Sequence, residues 1–237
     1  MKKKGKIHTD SIVLDELAFK PDCDQMIKKM HLREGRSETN RFREMVVEAQ
    51  KLAKPKAFYK ISKIQSRGQT RIAIDSQELE SRVLRVNTDK LNRAFPFVVT
   101  CGTELSEWAD GFSDMLEQLL ADEIKMAALR SAIAQLEIDV EARFNTGELS
   151  QMNPGSLEDW SIYEQKKLFD LLGHGATSVG VELLSSMVMY PDKSESGIFF
   201  EKETKFANCQ LCPIEKCPSR KAPFDHGLYE REYSVTK

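Results

Sequence analysis

The chain has 237 residues, with 35 lysines and arginines against 37 aspartates and glutamates, a formal charge of −2. That length buries a proper core, as one large domain or a domain with an appendage, and the even charge balance gives no global pull toward nucleic acid or a membrane surface. No apolar run approaches membrane-spanning length, and the lysine-rich start Met1–Lys6 lacks the apolar core of a secretory signal. A cytoplasmic protein with no nucleic-acid and no membrane partner is expected. Five cysteines, three of them crowded near the C-terminus, suit metal or redox chemistry better than a disulfide framework in that compartment.

In chain order, residues 10–36 form an entry arm in which Lys20-Pro21-Asp22 turns the chain. Ser37 is placed to cap a helix from Glu38 to about Lys54, with Phe42, Met45, Val46, Ala49 and Leu52 on one face. Ala57 to Ile64 alternates loosely, and the turn Ser66-Arg67-Gly68-Gln69 leads into Thr70 to Ile74, which predicts a pair of strands. Val83 to Val86 fits either a short strand or a helix end. Phe95 to Thr100 has the form of a buried strand leaving through Cys101-Gly102, with Thr103 capping a helix that carries Leu105, Trp108, Phe112, Met115, Leu116 and Leu119.

A second helix, from about Ala121 to Arg143, carries Ala128, Ser131 and Ala132, small residues that permit close packing at the centre of the fold. The turn-rich segment Met152-Asn153-Pro154-Gly155-Ser156 follows. Ser161 with Glu164 suggests a capping box for a helix to Leu172, which Gly173 ends. Val179 to Val188 is expected as a buried strand and Gly197 to Phe200 as its partner. The expected fold class is therefore α+β, with a cysteine-rich C-terminal knuckle.

The block from Arg143 to Phe200 resembles the reactivation domain of cobalamin-dependent methionine synthase. The features that carry the likeness are an arginine, a Pro-Gly turn, a helix, and a strand closing on Met189-Tyr190-Pro191 and Ser194-Glu195-Ser196-Gly197. Similarity extends over 57–200 and includes Val98-Val99-Thr100-Cys101-Gly102 and the small-residue helix. The resemblance implies a twisted, mainly antiparallel sheet packed with long helices. It divides the chain into an N-terminal arm and helix (1–56), an activation-like domain (57–200) and a cysteine-rich segment (201–237). It also implies S-adenosylmethionine held by Arg143, Asn153, Pro154, Gly155 and Ser156 beside Tyr190, and a corrinoid carried by a partner protein. A guanidinium suits the carboxylate of that cofactor, and a glycine permits close backbone approach. The chain departs from the family's Arg-Pro-x-Pro-Gly-Tyr-Pro: the Pro-Gly turn comes several residues after Arg143, and Ser156 stands in place of the tyrosine. Without the resemblance, Arg143 reads as a helix-end dipole or carboxylate partner, Met187 and Met189 as core filler, and Trp160 as a hydrophobic staple.

Cys209, Cys212 and Cys217 make the second constellation. Two thiolates separated by two residues can grip one metal from a tight turn, and a third can close over it. Pro213 and Pro218 stiffen the loop. Zinc asks for a fourth ligand, with Cys23, Cys101, Asp225 and His226 as candidates; an iron–sulfur cluster held by three thiolates is the alternative. Lys216, Arg220 and Lys221 surround the thiols with positive charge, a setting that suits thiolates. No nucleophile with a matched base and no glycine-rich phosphate loop stands out, so no catalytic residue is assigned. Two functional classes remain. One is an accessory protein for reductive reactivation of a corrinoid methyltransferase, served by an electron donor. The other is a zinc-stabilised scaffold that docks a corrinoid protein or methyltransferase without turnover.

Overall fold

The computed structural model describes residues 11–217 and 219–234; the basic tail Met1–Lys6 and Pro218 lie outside them. Strand β1 (Ser11–Leu14) leads to α1 (Cys23–Lys29), whose first turn is capped by Asp22, and to α2 (Ser37–Leu52). Four strands follow, β2 (Lys56–Lys60), β3 (Ser62–Arg67), β4 (Arg71–Ile74) and β5 (Gln77–Glu80), then α3 (Arg82–Asn87), the central strand β6 (Arg93–Thr100), α4 (Thr103–Asp110) and α5 (Met115–Phe144). Beyond α5 come β7 (Leu149–Met152), α6 (Gln165–Leu172), α7 (Gly175–Ser178), a hairpin of β8 (Glu182–Leu183) and β9 (Met189–Tyr190), and β10 (Ser194–Glu201).

Eight strands form one antiparallel sheet. β6 pairs with β2 through its second half, with β3 through its first residues, and with β10 along its other edge, which in turn carries β7. Residues 94–100 are all buried, because β6 is covered on both faces and reads as a continuous apolar run for that reason. Alternation along the strands sorts two cores. Tyr59, Phe97, Val99 and Phe199 face α2, α4 and α5, while Phe58, Val98, Ile198 and Phe200 face α3, α6, α7 and the C-terminal segment.

The small-residue helix is central, as expected: Ala121, Ile124, Ala128, Ala132, Leu136 and Val140 are buried along one stripe of α5. Ser131 and Gln135 of the same helix bond the carbonyl of Ala18 and so hold the entry arm. The helix begins earlier than the sequence suggested. Asp114 accepts from the backbone N–H groups of Leu116 and Glu117 and starts it, so Met115, Leu116 and Leu119 belong to α5 and lie largely exposed.

Several expectations are corrected. Val179 to Val188 is no strand of the main sheet: Gly180 (φ 77°) and Met187 (φ 66°) interrupt extended backbone, and Leu184 and Val188 face solvent. The partner of β6 is β10 instead, in register Gly197 to Phe97. Val83–Val86 is helical, started by Ser81. β5 and β7 went unseen because Gln-Glu-Leu-Glu and Leu-Ser-Gln-Met carry too few apolar residues to show a period. Neither Ser37 nor Thr103 is a side-chain cap; each is the first residue of its helix. Glu164 does not close a capping box, since its carboxylate accepts from the backbone N–H of Glu80 (2.8 Å) and from Lys167 Nζ (2.7 Å).

Candidate functional site

The Pro-Gly turn leaves the end of β7. Gly155 holds φ 80° and donates its N–H to the carbonyl of Trp160 at 2.7 Å, which closes the loop. That positive φ favours glycine, and a Cβ there would lie 2.7 Å from Ile162 Cδ1, so the isoleucine side chain would also have to shift. Trp160 is fully buried beneath the loop, and Asp159 anchors it by accepting from Val83 N–H at 3.0 Å and from the Ser81 hydroxyl. Pro154 is buried, whereas Gly155 and Ser156 are exposed.

Beside the turn, the edge pair β7–β10 carries a half-buried polar shelf. Asn153 Nδ2 donates to the carbonyl of Ser196 (2.9 Å) and to Glu195 Oε1 (3.1 Å). Gln151 Nε2 donates to the same Glu195 oxygen and to Asn153 Oδ1 (3.1 Å). Gly197 makes this approach possible: a Cβ on it would lie 2.6 Å from Asn153 Nδ2. One carboxylate held by two amides, with its remaining lone pairs free of those donors, is an acceptor for hydroxyl or cationic groups. Gln151 and Glu195 were not singled out from sequence. The available signal was polar residues at alternate positions of two short strands that flank the turn.

Arg143 lies elsewhere in its bonding. It sits in the last turn of α5, donating to Asp139 Oδ1 (2.9 Å) and Oδ2 (3.2 Å) and to the Tyr59 hydroxyl (3.0 Å). The Tyr59 hydroxyl in turn donates to Asp139. Burial pushes the Asp139 carboxyl up, but Arg143 and Tyr59 together outweigh it and hold the group below the ordinary aspartate value. Among the described residues no hydrogen bond joins Arg143 to Asn153, Gly155 or Ser156. Tyr190 ends β9, half exposed, and is joined to Pro191 by a cis peptide bond. The chain then passes through Asp192, which is gripped by Lys125 (2.8 Å) and Lys193 (3.1 Å), into β10.

The cysteine loop folds differently from the expected metal knuckle. Its hub is Arg220, whose Nη1 donates to the carbonyls of Cys209 (2.9 Å) and Ala222 (2.9 Å) and whose Nη2 donates to those of Cys212 (2.8 Å) and Ile214 (2.7 Å). Cys209 Sγ accepts the Lys221 N–H at 3.3 Å. Cys209, Cys212 and Cys217 are half-buried free thiols, and among the described residues no three His, Cys, Asp or Glu side chains gather as metal ligands. The candidate fourth ligands are engaged separately. Asp225 pairs with Arg231 (2.7 Å), His226 stacks edge-on against Phe224, and Cys23 and Cys101 belong to the α5-side core. Burial pushes the Cys101 thiol up to about 12.

No protein-family model matches the chain, and no curated protein matches it in sequence. Among solved structures, the chain is similar to the MetH reactivation domain crystallised with AdoHcy. The two superpose with a TM-score of 0.61 at 14% identity, over 83% of this chain and 80% of that one. At that identity the likeness speaks for the fold: the α+β architecture around an antiparallel sheet is shared. No helix among the described residues is long and apolar enough to cross a membrane.

Proposed function

We propose that the chain is an accessory domain of corrinoid-dependent methyl transfer, docking on a corrinoid-carrying protein or its methyltransferase in the cytoplasm. The observation that carries this reading is the fold shared with the MetH reactivation domain over about four-fifths of both chains. In this reading residues 57–200 supply the docking fold, and the Pro154–Gly155 turn with Asn153 and Ser156 receives S-adenosylmethionine. The exposed backbone at Gly155 and Ser156 gives close approach, and the Glu195 carboxylate beside Asn153 supplies acceptors for ribose hydroxyls or a cationic group. Arg143, at the end of α5, holds Asp139 and Tyr59 through Nε and Nη2, which leaves Nη1 to meet the cofactor carboxylate. The corrinoid belongs to the partner, a separate electron donor reduces its cobalt, and this chain contributes position and polarity.

Calorimetric titration of the full chain tests the reading. Heat on adding S-adenosylmethionine, lost in Glu195→Gln and Asn153→Ala, supports the cofactor site. Binding to a cobalamin-loaded partner without any response to S-adenosylmethionine leaves a docking scaffold. One observation favours that second reading: the Arg143 guanidinium already has a bidentate carboxylate partner. Absence of both responses removes the proposal.

A further inference from the structure

At the opposite end of β7 and β10 from the Asn153 shelf, a cavity of about 690 Å³ opens between the end of α3, residues 201–206 and the C-terminal turn around Tyr233. Its apolar wall is Val86, Leu91, Phe206, Leu228 and Tyr233. Its floor is a built polar constellation. Asn87 and Tyr233 are buried, and Asn87 Oδ1 accepts both the Tyr233 hydroxyl (2.8 Å) and Lys202 Nζ (2.7 Å). The Asn87 amide nitrogen is turned away onto the sulfur of Met152 (3.6 Å), which fixes the oxygen toward the lysine. Lys202 Nζ lies over the Phe206 ring at 5.6 Å and stands 3.8 Å from Glu232.

We propose that this cavity is a binding site for a small monocarboxylate with a flat apolar body, its carboxylate meeting Lys202 and its body lying against Phe206 and Leu228. An ammonium has three protons, and among the described residues one is taken at hydrogen-bonding distance, by a neutral amide. Burial lowers the Lys202 pKa from that of a free lysine, and the upward pull of Glu232, 3.8 Å away, does not offset it. An incoming carboxylate supplies the partner that the ammonium lost with its water. The charge around it selects the class of anion. The lining carries five carboxylates against three lysines, which repels phosphate dianions and polyphosphates and tolerates a single negative charge beside Lys202. The volume falls within the usual span of ligand pockets, roughly 300–1,000 Å³, and suits a bicyclic aromatic acid better than an inorganic ion.

The test is titration of the full chain with indole-3-acetate and with its neutral analogue indole-3-acetamide, followed by NMR. The acid is expected to bind with Kd below about 1 mM, and the amide at least about tenfold more weakly. Lys202→Met should weaken the acid at least about tenfold, while Lys202→Arg retains binding. The shifted signals should belong to Asn87, Phe206 and Tyr233. Equal binding of acid and amide, binding unchanged in Lys202→Met, or no binding of either compound overturns the proposal. If Lys202→Met does not fold, the acid–amide comparison on the wild type decides alone.

Discussion

The two faces of the sheet are built in different ways. On one, a single 30-residue helix, α5, lies with α2 and α4 across Tyr59, Phe97 and Phe199. On the other, Phe58, Val98 and Phe200 are covered by pieces from five separate stretches: α3, the loop to Trp160, α6, α7, and the segment running from Phe206 to Tyr233. The continuous face draws its order from local helix periodicity. The patched face draws it from contacts between residues far apart in sequence, such as Tyr233 with Asn87 and Phe206 N–H with Ser150 Oγ (2.8 Å). Contacts of that kind open in smaller cooperative units than a long helix does. The Pro-Gly turn and the Lys202 cavity both involve elements of the patched face, where side chains from distant segments converge.

The largest effects should come from emptying each core in turn. Phe97→Ala and Trp160→Ala each remove a fully buried ring and should cost about 3–5 kcal/mol by denaturant titration. Hydrogen exchange distinguishes them. Phe97→Ala should raise exchange across α5 and β6 together, whereas Trp160→Ala should raise it first in the 153–164 loop and α6. Identical exchange patterns would erase the distinction between the faces.

Gly102 joins the central strand to α4 on the continuous face. It holds φ 96°, and a Cβ would sit 2.5 Å from the carbonyl oxygen of Lys54. Gly102→Ala is expected to cost about 2–4 kcal/mol, from backbone strain and displacement of the α2 end combined. A loss below about 0.5 kcal/mol would mean that the continuous face yields as readily as the patched one.

The difference between the faces also explains what was legible in the sequence. Val98 to Thr100 and the alanines of α5 announced themselves, because a strand buried on both faces and a helix stripe each leave a period. β5 and β7 left none: each is four residues long, and although Leu79, Leu149 and Met152 are buried, one or two apolar side chains are too few to show a period. The Val179–Val188 run looked like a strand through its composition, but Gly180 and Met187 at positive φ turn it into a helix end and a hairpin. Within the candidate site the Pro-Gly turn could be found from its residue types. Gln151 and Glu195 could not, since their meeting depends on the β7–β10 register. Arg143 was placed by order along the chain, and its guanidinium pairs with Asp139, one helical turn back, the carboxylate partner that a helix-end arginine suggests.

Arg220 tests the patched face at its C-terminal end. Arg220→Met leaves four carbonyl groups without their shared donor and should cost about 2 kcal/mol, confined to 207–225 by hydrogen exchange. Cys212→Ala, by contrast, should change stability by less than about 0.5 kcal/mol. Elemental analysis of wild type and Cys212→Ala accompanies this pair. Zinc or iron lost from the alanine variant together with a large destabilisation would make a metal, and not Arg220, the organiser of the loop.

A smaller effect than that of Arg220→Met belongs to Tyr59→Phe on the continuous face, and its pH dependence is its signature. The hydroxyl donates to Asp139 and accepts from Arg143, so its removal should cost about 1 kcal/mol at pH 7. The folded-state pKa of Asp139 is depressed by Arg143 and Tyr59 against the upward push of burial. A depressed carboxylate contributes stability that is present above its unfolded value, about 3.9, and lost as pH falls through the lower folded value. Without the Tyr59 hydroxyl that depression is smaller, so the stability gap between wild type and Tyr59→Phe should narrow as pH falls below about 4. Denaturant midpoints from pH 7 down to pH 2.5 measure it. A gap that stays constant would show that the hydroxyl acts through packing alone, and that the Tyr59–Asp139–Arg143 triad does not couple the end of α5 to β2 electrostatically.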